Sequence, residues 1–398
     1  MQNKIVVEGY QLSPQQMRIW WLQQTDGGQI YRAQSVLLVE GALDLDTLKA
    51  AISEVVSRHE ILRTNFHLLP GMPVPLQTVD SDQVVEIREI DLNEDDSLEK
   101  WARFEEFFQR GSLHRFDLRQ EAHARFSLAH LSESKSALLM SLPAMCADSR
   151  SLKVLFSEIA RAYAARLLGD ELPVPPVQYI DFAEWQRESL EQEDDGDKDE
   201  RWDRVGLHFP SASQLMLGLE HESTMSEGFE SDQISVVLDA TITTEIDRLS
   251  SRHDVSSGVF LLACWQILVW RLTGSKYLTI DCLCEGRKLK GLQEALGAFT
   301  RFCPIRFHLE PDYQFTETLE LVGQSIKSAQ ARLNHLLRQD CRVIEEGRPA
   351  DRVHAIGFEY EEWPAAECAG PVEFRYWKQS VCIDRFKLKL AGYRKADG

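Results

Sequence analysis

Leu48, Ala51, Ile52, Val55 and Val56 recur at i, i+3, i+4, i+7 and i+8. That spacing lays an apolar stripe along one face of an α-helix, with Asp44 or Asp46 available ahead of it as N-cap. The stripe requires a sheet or a second helix to cover it. Apolar and polar residues alternate from Val84 to Ile90 and from Ala124 to His130, which predicts strands with one face buried. The run Ser136–Leu142 is apolar nearly throughout and suits a buried strand, and Leu152, Leu155, Phe156, Ile159, Tyr163 and Leu167 then return to helical spacing. The second half repeats the scheme with a strand over Gln233–Leu238, helices over 241–252 and 256–272, and a strand over Tyr277–Leu283. The repeat is one of topology, and the fold class is mixed α/β. Val259–Trp270 is the most apolar stretch, interrupted by Gln266 and followed by Arg271. It is too short to span a bilayer and reads as a helix buried on most sides.

Between the halves the composition changes, first to Leu-Pro-Val-Pro-Pro-Val over 172–177 and then to an acidic run from Glu191 to Glu200. Proline imposes an extended path and like charges keep a segment in solvent. The run is read as a solvated crossover, with a metal or a basic partner as the other reading. The expected division is a first lobe over 1–175, a connecting stretch over 176–232 and a second lobe over 233–398.

A chain of 398 residues with 43% hydrophobic content is long enough for two core-forming domains. A formal charge of −19 argues against nucleic acid or an anionic membrane as partner, since both require a basic footprint. The amino terminus lacks the apolar core of a signal peptide, so the cytoplasm is the expected location. The eight cysteines include no Cys-x-x-Cys pair, and no metal site is expected.

Candidate chemistry lies in residues 140–149, Met-Ser-Leu-Pro-Ala-Met-Cys-Ala-Asp-Ser, a loop between a buried strand and a helix. Five further segments stand in order around it: Ser13-Pro-Gln-Gln-Met-Arg-Ile-Trp-Trp-Leu22, Arg58-His-Glu-Ile-Leu-Arg-Thr-Asn-Phe66, Tyr179-Ile-Asp-Phe-Ala-Glu-Trp-Gln186, Glu285-Gly-Arg287 and Leu296-Gly-Ala-Phe-Thr-Arg-Phe-Cys-Pro-Ile-Arg306. Each resembles a motif of the condensation domains of nonribosomal peptide synthetases, and together they cover roughly residues 10 to 310. In that family the loop reads His-His-x-x-x-Asp-Gly. The resemblance puts Pro143 and Ala144 where the two histidines belong, Asp148 on the aspartate and Ser149 on the glycine.

The resemblance implies two chloramphenicol-acetyltransferase-like lobes in a V, with a tunnel between them. It also implies substrates carried on the phosphopantetheine arms of peptidyl or acyl carrier proteins, adjacent synthetase modules as partners, and no cofactor bound by this chain. A family member continues through another strand and a closing helix, beyond the strand that begins at Phe386. Asp148 is expected to turn from the tunnel and pair with Arg287 as a structural clamp. Ser149 is placed to cap the following helix. Arg301 and Phe302 are candidates for the tunnel wall, with solvent as the other reading for Arg301. Cys146 is either a nucleophile, given a cationic neighbour and a base, or a buried loop thiol. Arg150, Lys153, Arg161 and Arg166 form a candidate docking patch for acidic carriers, or a solvated face.

Alanine cannot titrate and proline has no N–H, so the family's histidine-dependent proton handling cannot run at positions 143 and 144. General acid–base help contributes about 10²- to 10⁴-fold. Holding two reactants in register contributes on the order of 7 to 11 kcal/mol. Three functions follow. The first is a catalytically degenerate domain that binds carriers or recruits a tailoring enzyme; the second, an acyltransferase still active through positioning; the third, a standalone acyl-CoA or lipid acyltransferase of the same superfamily, or a fold relative with unrelated binding.

Overall fold

A computed structural model of the chain describes residues 8–26, 30–81, 85–92, 102–109, 116–119, 124–192, 229, 232–287, 289–331 and 354–396. The amphipathic stripe forms helix α2, Leu45–Arg58, following α1, Pro14–Asp26. Asp44 is its cap, accepting the Thr47 N–H at 2.7 Å. The stripe residues Leu48, Ala51, Ile52, Val55 and Val56 are all buried.

What they cover is a six-stranded sheet built around β1 (Arg32–Gly41), β5 (Arg125–Ser132) and β6 (Lys135–Pro143), with β4 (Ile87–Asp91) at one edge. Strand β6 is central and buried from Ser136 to Pro143, which is why its sequence is mostly apolar, broken only by Ser136 and Ser141. On one face lie α2 and α4, Ser149–Leu168. On the other lies α3, over 102–109, whose Phe104 and Phe108 pack with Val36, Leu38 and Leu139. Helix α4 ends at Gly169, whose φ of 75° is the left-handed cap that glycine adopts without strain. Strands β2 (Thr64–His67) and β3 (Leu76–Val79) form a separate hairpin, and α5 covers Tyr179–Gln192.

The second sheet has the order β12-β9-β7-β8, with β7 over Tyr277–Cys284, β8 over Arg301–His308, β9 over His354–Glu362 and β12 over Phe386–Arg394. Helices α6 (Ala240–Arg252), α7 (Ser257–Thr273) and α8 (Phe315–Ala331) accompany it. Its core joins Leu262, Ala263 and Val269 of α7 to Leu278, Ile280, Ile305 and Ile356 of the sheet. Helix α7 holds the most apolar stretch but buries only one side, with Leu268 and Leu272 47% and 49% exposed. Among the described residues no single helix is long and apolar enough to cross a membrane.

Two further expectations change. Gln233–Leu238 is not a strand: among the described residues no strand pairs with it, and Ile234 and Val237 are 91% and 95% exposed. Alternating apolar residues make a strand only where a neighbouring strand takes up their backbone hydrogen bonds. The stretch 233–398 is also shared between the sheets. After β9 the chain crosses over, and β10 (Glu367–Ala369) and β11 (Val372–Val381) extend the first sheet, β11 pairing antiparallel with β1. It then returns to form β12, parallel to β9. The acidic run beyond Gln192 and Cys341 lie outside the described residues.

Leu138 sits fully buried on β6 between the strand partners Leu37 and Leu128. Leu138→Ala is expected to lower unfolding free energy by about 2 to 5 kcal/mol, read by urea denaturation.

Candidate functional site

Strand β6 ends at Pro143, opposite Arg32 of β1, and the chain turns at once into α4. The Ala144 N–H donates to the Tyr31 carbonyl at 3.1 Å and the Cys146 N–H to the Pro143 carbonyl at 2.9 Å. Ala144, Met145, Cys146 and Ala147 are all buried, so the loop is part of the core. Burial pushes the Cys146 thiol up, which keeps it protonated near neutral pH and leaves it a structural group rather than a thiolate nucleophile.

Asp148 is the N-cap of α4 and the most heavily bonded side chain of the loop. Its Oδ1 accepts from the Ser151 N–H at 2.7 Å and from Arg287 Nη2 at 3.0 Å. Its Oδ2 accepts from Arg287 Nη1 at 2.9 Å and from the N–H groups of Phe299 and Thr300 at 3.1 and 3.0 Å. The pair is a two-pronged fork with side-chain exposures of 0% and 1%. Burial by itself would raise the Asp148 pKa, but Arg287 and Ser151 outweigh it and hold the carboxyl below its ordinary value. An anion whose lone pairs are all engaged cannot serve as a general base.

Four of the other motif segments converge on this fork, while Arg58–Phe66 lies apart, with Arg58 and His59 against Glu158. Arg287 lies 4.2 Å from the centroid of the Phe299 ring, and Ser151 Oγ accepts the Gly297 N–H at 3.0 Å. The Tyr179 hydroxyl donates to the Ala298 carbonyl at 2.8 Å and accepts from Ser13 Oγ at 2.7 Å. Gly297 has φ +155°, and a Cβ there would stand 1.9 Å from the Tyr179 ring, so only glycine lets this backbone pass.

Ser149 is the first helical residue rather than the cap, which is Asp148. Its hydroxyl donates to Glu361 Oε1 of β9 at 2.6 Å. Glu361 Oε2 accepts from Gln379 Nε2 at 3.0 Å and lies 3.2 Å from Lys153 Nζ. Phe302 is buried against Phe386, ring centroids 4.6 Å apart, while Arg301 is half-buried at the start of β8, opposite Cys284. The four candidate docking cations do not make an uncompensated patch. Arg150 pairs with Glu285, Lys153 with Glu361, Arg161 with Glu158 and Arg166 with Glu54. Among the described residues no three His, Cys, Asp or Glu side chains converge as metal ligands.

The model of the condensation-domain family matches residues 6–339, and thus every motif segment that meets at the fork. The chain belongs to the condensation-domain family. It is 28% identical over 323 residues to surfactin synthase subunit 2 of Bacillus subtilis (strain 168), a match covering 80% of this chain and 8% of that synthase. The condensation domain of the Monacolin K polyketide synthase MokA superposes with a TM-score of 0.80 at 19% identity, over 99% of this chain and 90% of that one. The X-domain from teicoplanin biosynthesis superposes with a TM-score of 0.69 at 23% identity, over 96% and 85%. The mixed α/β architecture, with two sheets each packed by helices, is that of solved condensation domains.

This condensation-family chain also holds a buried charge cluster that no local pattern announces. His354 Nδ1 lies 3.0 Å from Asp281 Oδ2 and Nε2 lies 3.1 Å from Asp384 Oδ2, with exposures of 5% or less. Asp384 is in turn gripped by Arg18 of α1 at 2.7 Å. Burial acts to lower the His354 pKa, and the Arg18 guanidinium 3.0 Å from Nε2 acts the same way. The two carboxylates outweigh both and raise it from 6.5 to about 9. His59, from the second motif, is buried with its Nε2 3.5 Å from Glu158, which also faces Arg58 and Arg161.

Two outcomes follow. Asp148→Asn strands the Arg287 charge in the core and is expected to cost about 3 to 5 kcal/mol of unfolding free energy, measured with denaturant at neutral pH. His354 binds its proton more tightly folded than unfolded, so its contribution is complete below pH 6.5 and is lost as pH rises through about 9. Stability is expected to fall across that window by on the order of 3 kcal/mol, and His354→Gln is expected to flatten this part of the profile.

Proposed function

We propose that this chain is a nonribosomal peptide synthetase condensation-family domain that binds acyl or aminoacyl groups tethered to carrier proteins without histidine-assisted condensation. In this reading Pro143 and Ala144 occupy the positions of the family's histidine pair, and the domain serves carrier binding or recruitment of a further enzyme. The observation that carries it is the saturation of the loop: no side chain from 143 to 147 titrates near neutral pH, and the one carboxylate, Asp148, has every lone pair engaged by Arg287, Ser151 and the backbone of Phe299 and Thr300. The scaffold that frames a substrate is kept while the proton-handling side chains are gone.

Carrier proteins and adjacent synthetase modules are the proposed partners, the cytoplasm the proposed location, and phosphopantetheine arms the proposed bearers of substrate. The X-domain from teicoplanin biosynthesis, which shares this fold, has been solved in complex with OxyB. That assembly supports recruitment of a partner enzyme as a use for such a domain. The paired state of Arg150, Lys153, Arg161 and Arg166 argues that carrier docking does not rest on those four cations alone.

Mixing the protein with aminoacyl-loaded donor and acceptor carriers and following intact mass tests the reading, with the Pro143→His, Ala144→His double variant alongside. The expected result is carrier binding by both proteins and no amide above the uncatalysed background from the unaltered one. Amide formed by the unaltered protein at a catalysed rate would overturn it.

A further inference from the structure

The family's loop has no use for a hydroxyl where this chain carries Ser149, and α4 does not need one, because Asp148 already caps the helix. The serine instead spends its proton on a carboxylate 212 residues away, at 2.6 Å. The two oxygens of Glu361 have separate duties. Oε2 is taken by Gln379 Nε2 at 3.0 Å and by Lys153 Nζ at 3.2 Å, which fixes the orientation of the carboxylate, and Oε1 faces Ser149. Gln379 is in turn held by the Tyr376 hydroxyl, which donates to its Oε1 at 2.9 Å. A hydroxyl, a carboxylate in hydrogen-bond reach and a third group orienting the carboxylate are the parts of an activated nucleophile.

We propose that Ser149 and Glu361 form a nucleophilic dyad that takes the acyl group from a thioester. This inference rests on the reading that carrier-tethered thioesters reach the loop. Ser149 Oγ attacks the thioester carbonyl carbon and forms a C–O bond while its proton passes to Glu361. The C–S bond breaks, and the thiolate leaves as thiol with the proton from Glu361. Water then attacks the seryl ester, its proton taken by Glu361 and returned to Oγ as the C–O bond to serine breaks, and the carboxylic acid departs.

The surroundings suit the step. The N–H groups of Ser149 and Arg150 precede the first intrahelical bond of α4, from the Leu152 N–H to the Asp148 carbonyl, so the nucleophile stands at the positive end of the helix dipole, which favours negative charge developing beside it. Arg287 neutralises the adjacent Asp148 charge that would otherwise oppose it. Ser149 is 4% exposed, and the Glu361 and Lys153 side chains beside it are 11% and 16% exposed, so the pair is sheltered while its carboxylate end touches solvent.

The bland role for the contact is a tie between α4 and β9, and the two roles separate experimentally. The probe is octanoyl-N-acetylcysteamine, a thioester that needs no carrier. Intact mass and thiol release are followed for the unaltered protein, Ser149→Ala, Ser149→Gly and Glu361→Gln, each checked by circular dichroism and thermal unfolding. The expected result is an octanoyl adduct on the Ser149 peptide, or catalytic thiol release, abolished in Ser149→Ala and Ser149→Gly and reduced at least about tenfold in folded Glu361→Gln. Absence of both signals from the unaltered protein, or an adduct that persists without Ser149, overturns the dyad. Intact binding of an acyl-loaded carrier alongside that failure leaves the carrier-binding reading standing. An adduct from the small thioester with no carrier binding overturns the carrier reading and keeps the dyad.

Discussion

The Asp148–Arg287 fork is the interaction on which the rest of this structure depends. Two charges with essentially no solvent exposure are tolerated only because nearly every donor and acceptor is matched. The matching draws in Ser151, Phe299, Thr300 and, through Ser151 and Ala295, the backbone around Gly297. These partners come from the first turn of α4 and from the stretch around Phe299, so one ion pair brings α4 of the first sheet's layer against the loop that follows β7. The same matching disarms Asp148 chemically. A carboxylate cannot both hold the molecule together at this point and move protons.

The crossover of β10 and β11 makes the two halves interdependent in a second way. Strand β11 extends the first sheet while β9 and β12, on either side of it in the chain, belong to the second. The turnings between them carry groups that tie the halves electrostatically. Asp384, just before β12, meets Arg18 of α1 and His354, and Glu361, at the end of β9, meets Ser149 and Lys153 of α4. The site therefore lies where a shared segment passes between the sheets, and its chemistry draws on both.

Pro143 and Ala144 bring no titrating group to the loop, which leaves Cys146 and Asp148 as its ionisable side chains. Cys146 is held neutral by burial and Asp148 by contrast is held ionised by its partners, so neither sits near the point where a proton transfers easily. At the first residue of α4, beside the loop, Ser149 and Glu361 bring a potential nucleophile and a potential base into contact.

The sequence by itself determined the elements whose cause is local. The stripe of α2, the apolar run of β6, the helical return of α4 and the order of the motif segments all follow from spacing along the chain, because helix and strand periodicities act over a few residues. It also determined what the loop lacks, since Pro143 and Ala144 have no titrating atom in any fold. Only the tertiary structure decided where the long-range partners fall. That Ser149 faces Glu361, that His354 lies between Asp281 and Asp384, and that Arg150, Lys153, Arg161 and Arg166 are each neutralised depends on residues brought together from distant parts of the chain. Gln233–Leu238 marks the limit from the other side. Its alternation is strand-like, yet a strand is a property of two segments, and periodicity in one cannot say whether the other is there to pair with it.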